Sequence, residues 1–265
     1  MLLLAIAGGC YVPVYQVQRN ARVPHAAVPL RTAQPLAGPV ELTLGASNAG
    51  DLMEPSQGNQ QSADEVPSRQ VRGELRIRLR ERGELALVHE HGFGSSSQRL
   101  DATQAPVGDG DVFGTGGAIR YAAELAPGWS LGLEAEVLVW TVPYVEYRTC
   151  VENCPPGPMT TVEHGTSNAT TLGLGMTPSY KAGRATVFGG VFVRNHPTIT
   201  RKETEYYDLH SDDVEDGPAN VLLHAGVGYE LGGGISALVL LHQNVSHDPV
   251  IYGPGVGVAL SASLR

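Results

Sequence analysis

The links between strand-like segments alternate in length along this chain, and that rhythm constrains the fold more than any other feature. Between residues 39 and 265, ten segments alternate apolar and polar side chains with the period of two that a β-strand imposes. Residues 80–84, 126–130, 181–184 and 232–234 form tight links, whereas 47–69, 94–114, 143–168, 195–218 and 246–255 form wide ones. A meander whose wide bends all fall at one end closes most simply into an up-and-down barrel.

Composition agrees with one large β domain in 265 residues. With 42% hydrophobic residues, no stretch reaches the roughly 18 apolar residues that a spanning helix needs. A membrane barrel escapes that requirement, because only alternate residues face lipid. The 33 glycines and 18 prolines gather in turns and at alternating strand positions. The net charge of -9 is concentrated in two wide links, with Asp51, Glu54, Asp64 and Glu65 in the first and Glu203, Glu205, Asp208, Asp212, Asp213, Glu215 and Asp216 in the fourth. An acidic exterior argues against nucleic acid as a partner. These links read as a solvated face, with cation binding as the alternative.

Parity assigns the faces. Val40, Leu42, Leu44 and Ala46 share one face of the first segment; in the second, Leu75, Ile77 and Leu79 lie opposite Arg72, Glu74, Arg76, Arg78 and Arg80. An arginine at the midplane of a bilayer costs ~2–4 kcal/mol, so these arginines face a lumen or water. In the fourth and fifth segments, Ile119, Tyr121, Leu131 and Leu133 point outward while Arg120, Glu124, Glu134 and Glu136 point inward. The turn at 127–128 brings Arg120 opposite Glu134 or Glu136, which predicts a buried salt bridge. His89 and His91 share parity with Leu85 and Leu87 and so belong at the outer rim, with no third metal ligand evident. Trp129, Tyr180 and Tyr229 have outward parity beside short turns, as an interfacial aromatic girdle requires.

The inward arginines (72, 76, 78, 80, 120 and 194) nearly cancel the inward glutamates (74, 84, 90, 124, 134, 136 and 230). A selective pore shows a ring of one sign. A small barrel instead fills its interior, so a plugged or very narrow lumen is expected, with a polar network built on Arg76, Arg78, Arg120, Glu134, Glu136, His224 and His242. Pairing Leu231 with Ile235 puts His224 opposite His242, with Asn244 one step along. Two such imidazoles can bind metal, relay protons or sense pH. Lacking a third ligand, they read as a hydrogen-bonded structural pair.

From residue 39 to residue 265 the chain resembles small bacterial outer-membrane β-barrels, departing from them in ending Leu264-Arg265 where an aromatic residue is common. The resemblance implies an outer-membrane location, periplasmic short turns and termini, and extracellular wide links. Met1-Leu-Leu-Leu-Ala-Ile-Ala-Gly-Gly-Cys10 resembles the end of a bacterial lipoprotein signal that lacks its basic n-region, which implies acylation of Cys10. Residues 11–37 carry Pro13, Pro24, Pro29 and Pro35 with Arg19, Arg22 and Arg31 and no acid. Such a stretch reads as an extended tether, with packing into the lumen as the alternative. Cys150 and Cys154, in the third wide link, read as a local disulfide, since two thiolates do not complete a zinc site. Asp109-Gly-Asp111 and Asp208-Leu-His210 resemble loop residues of omptins, ten-stranded outer-membrane proteases; there Asp208 and His210 would activate a water opposite Asp109 and Asp111.

The sequence therefore predicts an all-β, ten-stranded antiparallel up-and-down transmembrane β-barrel over 38–265, preceded by a lipoprotein-type signal over 1–10 and a tether over 11–37. No phosphate-binding glycine loop, nucleophile elbow or dinucleotide fingerprint points to an enzyme or a cofactor. The expected role is structural, displaying loops or docking other envelope proteins from within outer-membrane lipid. A small porin and an omptin-like protease are the alternatives.

Overall fold

The computed structural model describes residues 13–22, 24, 27–48, 52–53, 64–65, 67–94, 110–158, 160–195, 219–246, 251–252 and 254–264. Ten strands make the wall: β1 (Val40–Asn48), β2 (Arg69–Arg78), β3 (Gly83–Phe93), β4 (Val112–Ala126), β5 (Trp129–Glu152), β6 (Thr160–Ala182), β7 (Ala185–Asn195), β8 (Ala219–Gly232), β9 (Ile235–Asn244) and β10 (Gly255–Leu264). Each pairs antiparallel with its neighbours in sequence, and β10 returns to β1, with Leu264 against Val40 and Gly257 against Ser47. The sheet is thus a closed up-and-down barrel, and no helix occurs among the described residues.

Parity explains both faces. On β6, Leu174 is 65% exposed on the outside whereas Thr171, on the inward face, is 1% exposed. Leu42, Leu44, Ile119, Val239, Leu260 and their neighbours form an apolar outer surface. Trp129 and Tyr180 stand on it beside the short turns, ring centroids 4.9 Å apart.

The last short turn uses two left-handed glycines, Gly233 (φ 64°) and Gly234 (φ 83°). Both positive values suit the tight hairpin whose twist matches its strands. A bulge follows from it: Gly232, not Leu231 as expected, faces Ile235, and the register recovers so that His224 still lies opposite His242.

The wide end departs further from expectation. Residues 143–168 were expected as a loop, but β5 and β6 stay paired from Thr141–Asn168 out to Thr149–Thr160. β4 leaves β5 at Thr141 and β7 leaves β6 at Gly173, so the hairpin projects beyond the wall. At about 3.3 Å per residue, the part of β5 beyond Thr141, nearly half of the strand, adds roughly 35 Å. A disulfide between Cys150 and Cys154, Cα atoms 5.6 Å apart, closes its tip.

An additional strand, Val14–Arg22, takes the place that β4 vacates. It runs antiparallel to β5 from Val14 beside Glu152 to Ala21 beside Tyr144, making the projection a three-stranded blade. From Ala27 the chain lies inside the barrel. Ala27, Val28, Leu30, Arg31, Ala33 and Leu36 are all buried there, and the chain emerges at the short-turn end to begin β1. The stretch read as a tether therefore lies inside the barrel over residues 27–36. It enters from the wide-link end, opposite to the side expected for it.

Candidate functional site

The chemistry of this molecule is concentrated in its lumen. One side of the wall, β1 to β5, carries Arg72, Arg76 and Arg120, joined from across the lumen by Arg194 of β7, against Glu41, Glu74, Glu84, Glu90, Glu134 and Glu136. Left to itself this wall has two carboxylates in excess. Arg31, carried in by the threaded segment, supplies a fifth cation: its Nη1 donates to Glu74 Oε2 at 3.0 Å and its Nε to Glu134 Oε2 at 2.9 Å.

The remaining pairs form two layers. Arg72 ties together Glu74 (Nε–Oε1 2.5 Å), Glu90 and Glu136. Arg194, on the far side of the lumen, closes onto Glu136 and onto Glu90 at 3.4 Å. Nearer the short turns, Arg76 pairs with Glu41, and Arg120 Nη1 lies 3.2 Å from Glu84 Oε2. Buried ions are tolerated only when paired and hydrogen-bonded, and this network meets that condition from several strands at once.

Register and ion pairing separate at Arg120. It does sit opposite Glu134, but the expected salt bridge with Glu134 or Glu136 is absent. Glu84 is its partner on the other neighbouring strand, and Arg120 also donates to the carbonyl oxygen of Thr32. A residue within a sheet has two cross-strand neighbours, and here Arg31 has taken Glu134 while Arg72 and Arg194 have taken Glu136. Arg78 is exposed at the short-turn mouth, where it donates to the Leu36 carbonyl oxygen.

The opposite wall carries an apolar cluster. Phe188, Phe192, Leu222, Leu238, Leu240 and Ala259 pack around Val28 and Leu30 of the threaded segment. Glycines make the room: a Cβ at Gly45 would stand 2.2 Å from Leu30 Cδ1, and one at Gly257 2.6 Å from Leu30 Cδ2. A second apolar cluster, with Ala21, Val88, Val112, Leu138, Trp140 and Val142, fills the wide-link end. Trp140 Nε1 donates to Thr171 Oγ1 at 2.9 Å, which satisfies its buried N–H.

His224 and His242 are buried side by side, and His224 Nε2 lies 3.3 Å from Thr177 Oγ1. No cluster of three or more metal-ligating side chains occurs among the described residues. His89 and His91 stand on the outer face. His91 Nε2 lies 2.8 Å from Asp111 Oδ2, and the His91 ring stacks on Phe113 at 4.5 Å. Cys10, Asp109, Asp208 and His210 lie outside the described residues, so the omptin-like quartet has only Asp111 among them.

Parity located the wall residues, but the threaded segment's role rests on signals of a different kind. Gly45, Gly226, Gly228 and Gly257 all have inward parity. Wall glycines leave space for something bulky inside. A cavity of about 240 Å³ remains at the short-turn mouth, lined by Gln34, Leu36, Glu41, Glu230, Ser236 and Ser263 among others, with Arg31 and Thr32 also on its lining. A space of about 10 Å³ beside Pro29, Glu134 and Phe192 has room for roughly one water.

The fold defines a class, the closed membrane-spanning type of β-barrel with an apolar exterior. No family model and no curated protein matches the chain. Among solved structures it is similar to the translocator domain of the autotransporter NalP from Neisseria meningitidis, at 12% identity over 86% of this chain and 90% of that one, with a TM-score of 0.48. It is also similar to an outer membrane channel from Pseudomonas putida F1 (11% identity, 87% and 97% covered, TM-score 0.43). LpxR from Salmonella typhimurium is a third (8% identity, 84% and 100% covered, TM-score 0.40). All three are outer-membrane β-barrels.

Proposed function

We propose that this protein is an internally occluded barrel of the bacterial outer membrane, acting through the surface at its wide-link end and not as a conduit or an enzyme. The observation that carries the reading is Arg31, inserted by the threaded segment between Glu74 and Glu134. Its charge offsets part of a carboxylate excess on the wall, so the segment completes the interior.

The wide-link end supports the second half of the reading. A blade of three paired strands, closed at its tip by Cys150–Cys154, presents a rigid surface beyond the barrel. Such a surface suits docking of other envelope proteins, with lipid as the only other partner. In the described interior His224 Nε2 stands 3.3 Å from the Thr177 hydroxyl, but its Nδ1 makes no hydrogen bond, so no third group orients the imidazole as a base.

Conductance of the purified full chain in planar bilayers tests this. The expected result is no stepwise current and no swelling of sugar-loaded liposomes. Reproducible unit conductance from the intact chain overturns the occluded reading in favour of a small porin. Cleavage of basic peptides, abolished by Asp208→Ala, overturns the non-enzymatic one in favour of the protease.

A further inference from the structure

A ten-stranded meander brings both ends of its wall to the same mouth: Val40, which opens β1, pairs with Leu264 near the end of β10. If the chain stopped at Val40, its two termini would share one side of the membrane. The preceding residues change this. Traced backward from Val40, the chain passes Leu36, whose N–H donates to Glu84 Oε1 at 3.2 Å, then Arg31 between its two glutamates, then Val28 in the apolar cluster. It leaves the lumen at Ala21 and ends its described course with Val14 beside Glu152, at the tip of the blade.

We infer that the N-terminal segment crosses the membrane inside the barrel, so that Val14 and the C-terminal strand end lie on opposite sides. The segment acts as an eleventh crossing, one that spans without joining the wall. Val14 is thereby presented at the blade end, next to the proposed docking surface. The inference rests on the membrane-spanning reading above, but not on which mouth faces outward.

Its direction is fixed by contacts that a reversed segment cannot make. Reversal about Arg31 would put Gln34 where Val28 packs and Thr32 where Leu30 lies against the wall at Gly45 and Gly257, where any Cβ would meet it.

Three epitope-tagged forms of the full chain, each carrying one insertion, test the inference: ahead of Pro13, at Gly157 in the blade tip, and at Gly183 in a short turn. Each is probed with antibody on intact and on permeabilised cells. The expected result is that the Pro13 and Gly157 epitopes are labelled together and the Gly183 epitope in the opposite condition. A Pro13 epitope that follows Gly183 overturns the inference. If Gly183 is labelled on intact cells while Pro13 and Gly157 are not, the threading stands and the proposed orientation fails. Where an insertion prevents assembly, a cross-link decides. Thr32 Cγ2 lies 3.0 Å from a Cβ built on Gly228, about the separation a disulfide needs. Thr32→Cys with Gly228→Cys, in a Cys10→Ser background, is expected to give a bond that shifts mobility on non-reducing gels. Reactive free thiols at both positions in the folded barrel overturn the threading.

Discussion

The two sides of the lumen solve the same problem with opposite chemistry. Around β2 to β5 the wall is charged, and the threaded segment answers with Arg31; around β7 to β10 it offers the apolar cluster of Phe188, Phe192, Leu222, Leu238, Leu240 and Ala259, and the segment answers with Val28 and Leu30. A tight turn at Leu30, closed by Arg31 N–H donating to the Pro29 carbonyl oxygen at 3.0 Å, sets the two side chains apart, so Leu30 and Arg31 reach the two walls at once. Sliding the segment by one residue would bury Arg31 against phenylalanine and leave Glu134 without its cation. The difference between the walls thus fixes the register of the segment. A lumen of uniform chemistry would hold the same chain but not place it.

The comparison breaks most severely on the charged side. Arg72→Ala leaves three buried glutamates short of a shared partner, and breaking a buried ion pair costs about 3–5 kcal/mol. Urea unfolding in lipid vesicles should show a loss of that size. A loss below about 1 kcal/mol would mean that water, and not Arg72, carries those carboxylates.

On the apolar side the expected effect is smaller. Leu30→Ala empties part of the cluster and should cost about 2–4 kcal/mol by lost transfer and cavity terms. A cost matching that of an exposed leucine would show that the segment does not pack there.

Gly257→Ala sharpens the same point through non-additivity. The new methyl group meets Leu30 Cδ2 at 2.6 Å, and overpacking of this kind costs about 1–3 kcal/mol. In a Leu30→Ala background most of that cost should vanish, because the atom it strikes is gone. Equal costs in both backgrounds would place the strain elsewhere on the wall.

The wall was legible in the sequence because lipid outside and a packed lumen inside impose alternation, which parity reads directly from residues such as Leu174 and Thr171. The blade was not legible, for the same reason. Beyond Thr141 there is no lipid face, so Tyr144, Val145, Glu146 and Tyr147 lose their alternation; only the β-branched and aromatic content of 141–151 and 160–162 remained as a signal. The pairing of Arg120 was hidden because register supplies two neighbours and says nothing of competitors. Here the competitor, Arg31, lies 103 residues from Glu134 in a stretch whose prolines read as an unpacked tether. Its alternation of Val28, Leu30 and Thr32 with Arg31 was too short to stand out, although the inward glycines marked the space it fills.

The smallest effect belongs to an ion pair with none of this enclosure. Lys181 on β6 and Glu230 on β8 meet across β7 at the short-turn end, their side chains 35% and 51% exposed. Solvent and counterions screen such a pair, and exposed pairs contribute about 0–1 kcal/mol. Lys181→Ala should therefore shift the urea midpoint little at low salt and not at all at 1 M salt. Arg72→Ala should keep most of its cost at both concentrations, since its partners are out of reach of the electrolyte. If the two variants respond alike to salt, the charged wall is hydrated, and the occlusion attributed to it fails with it.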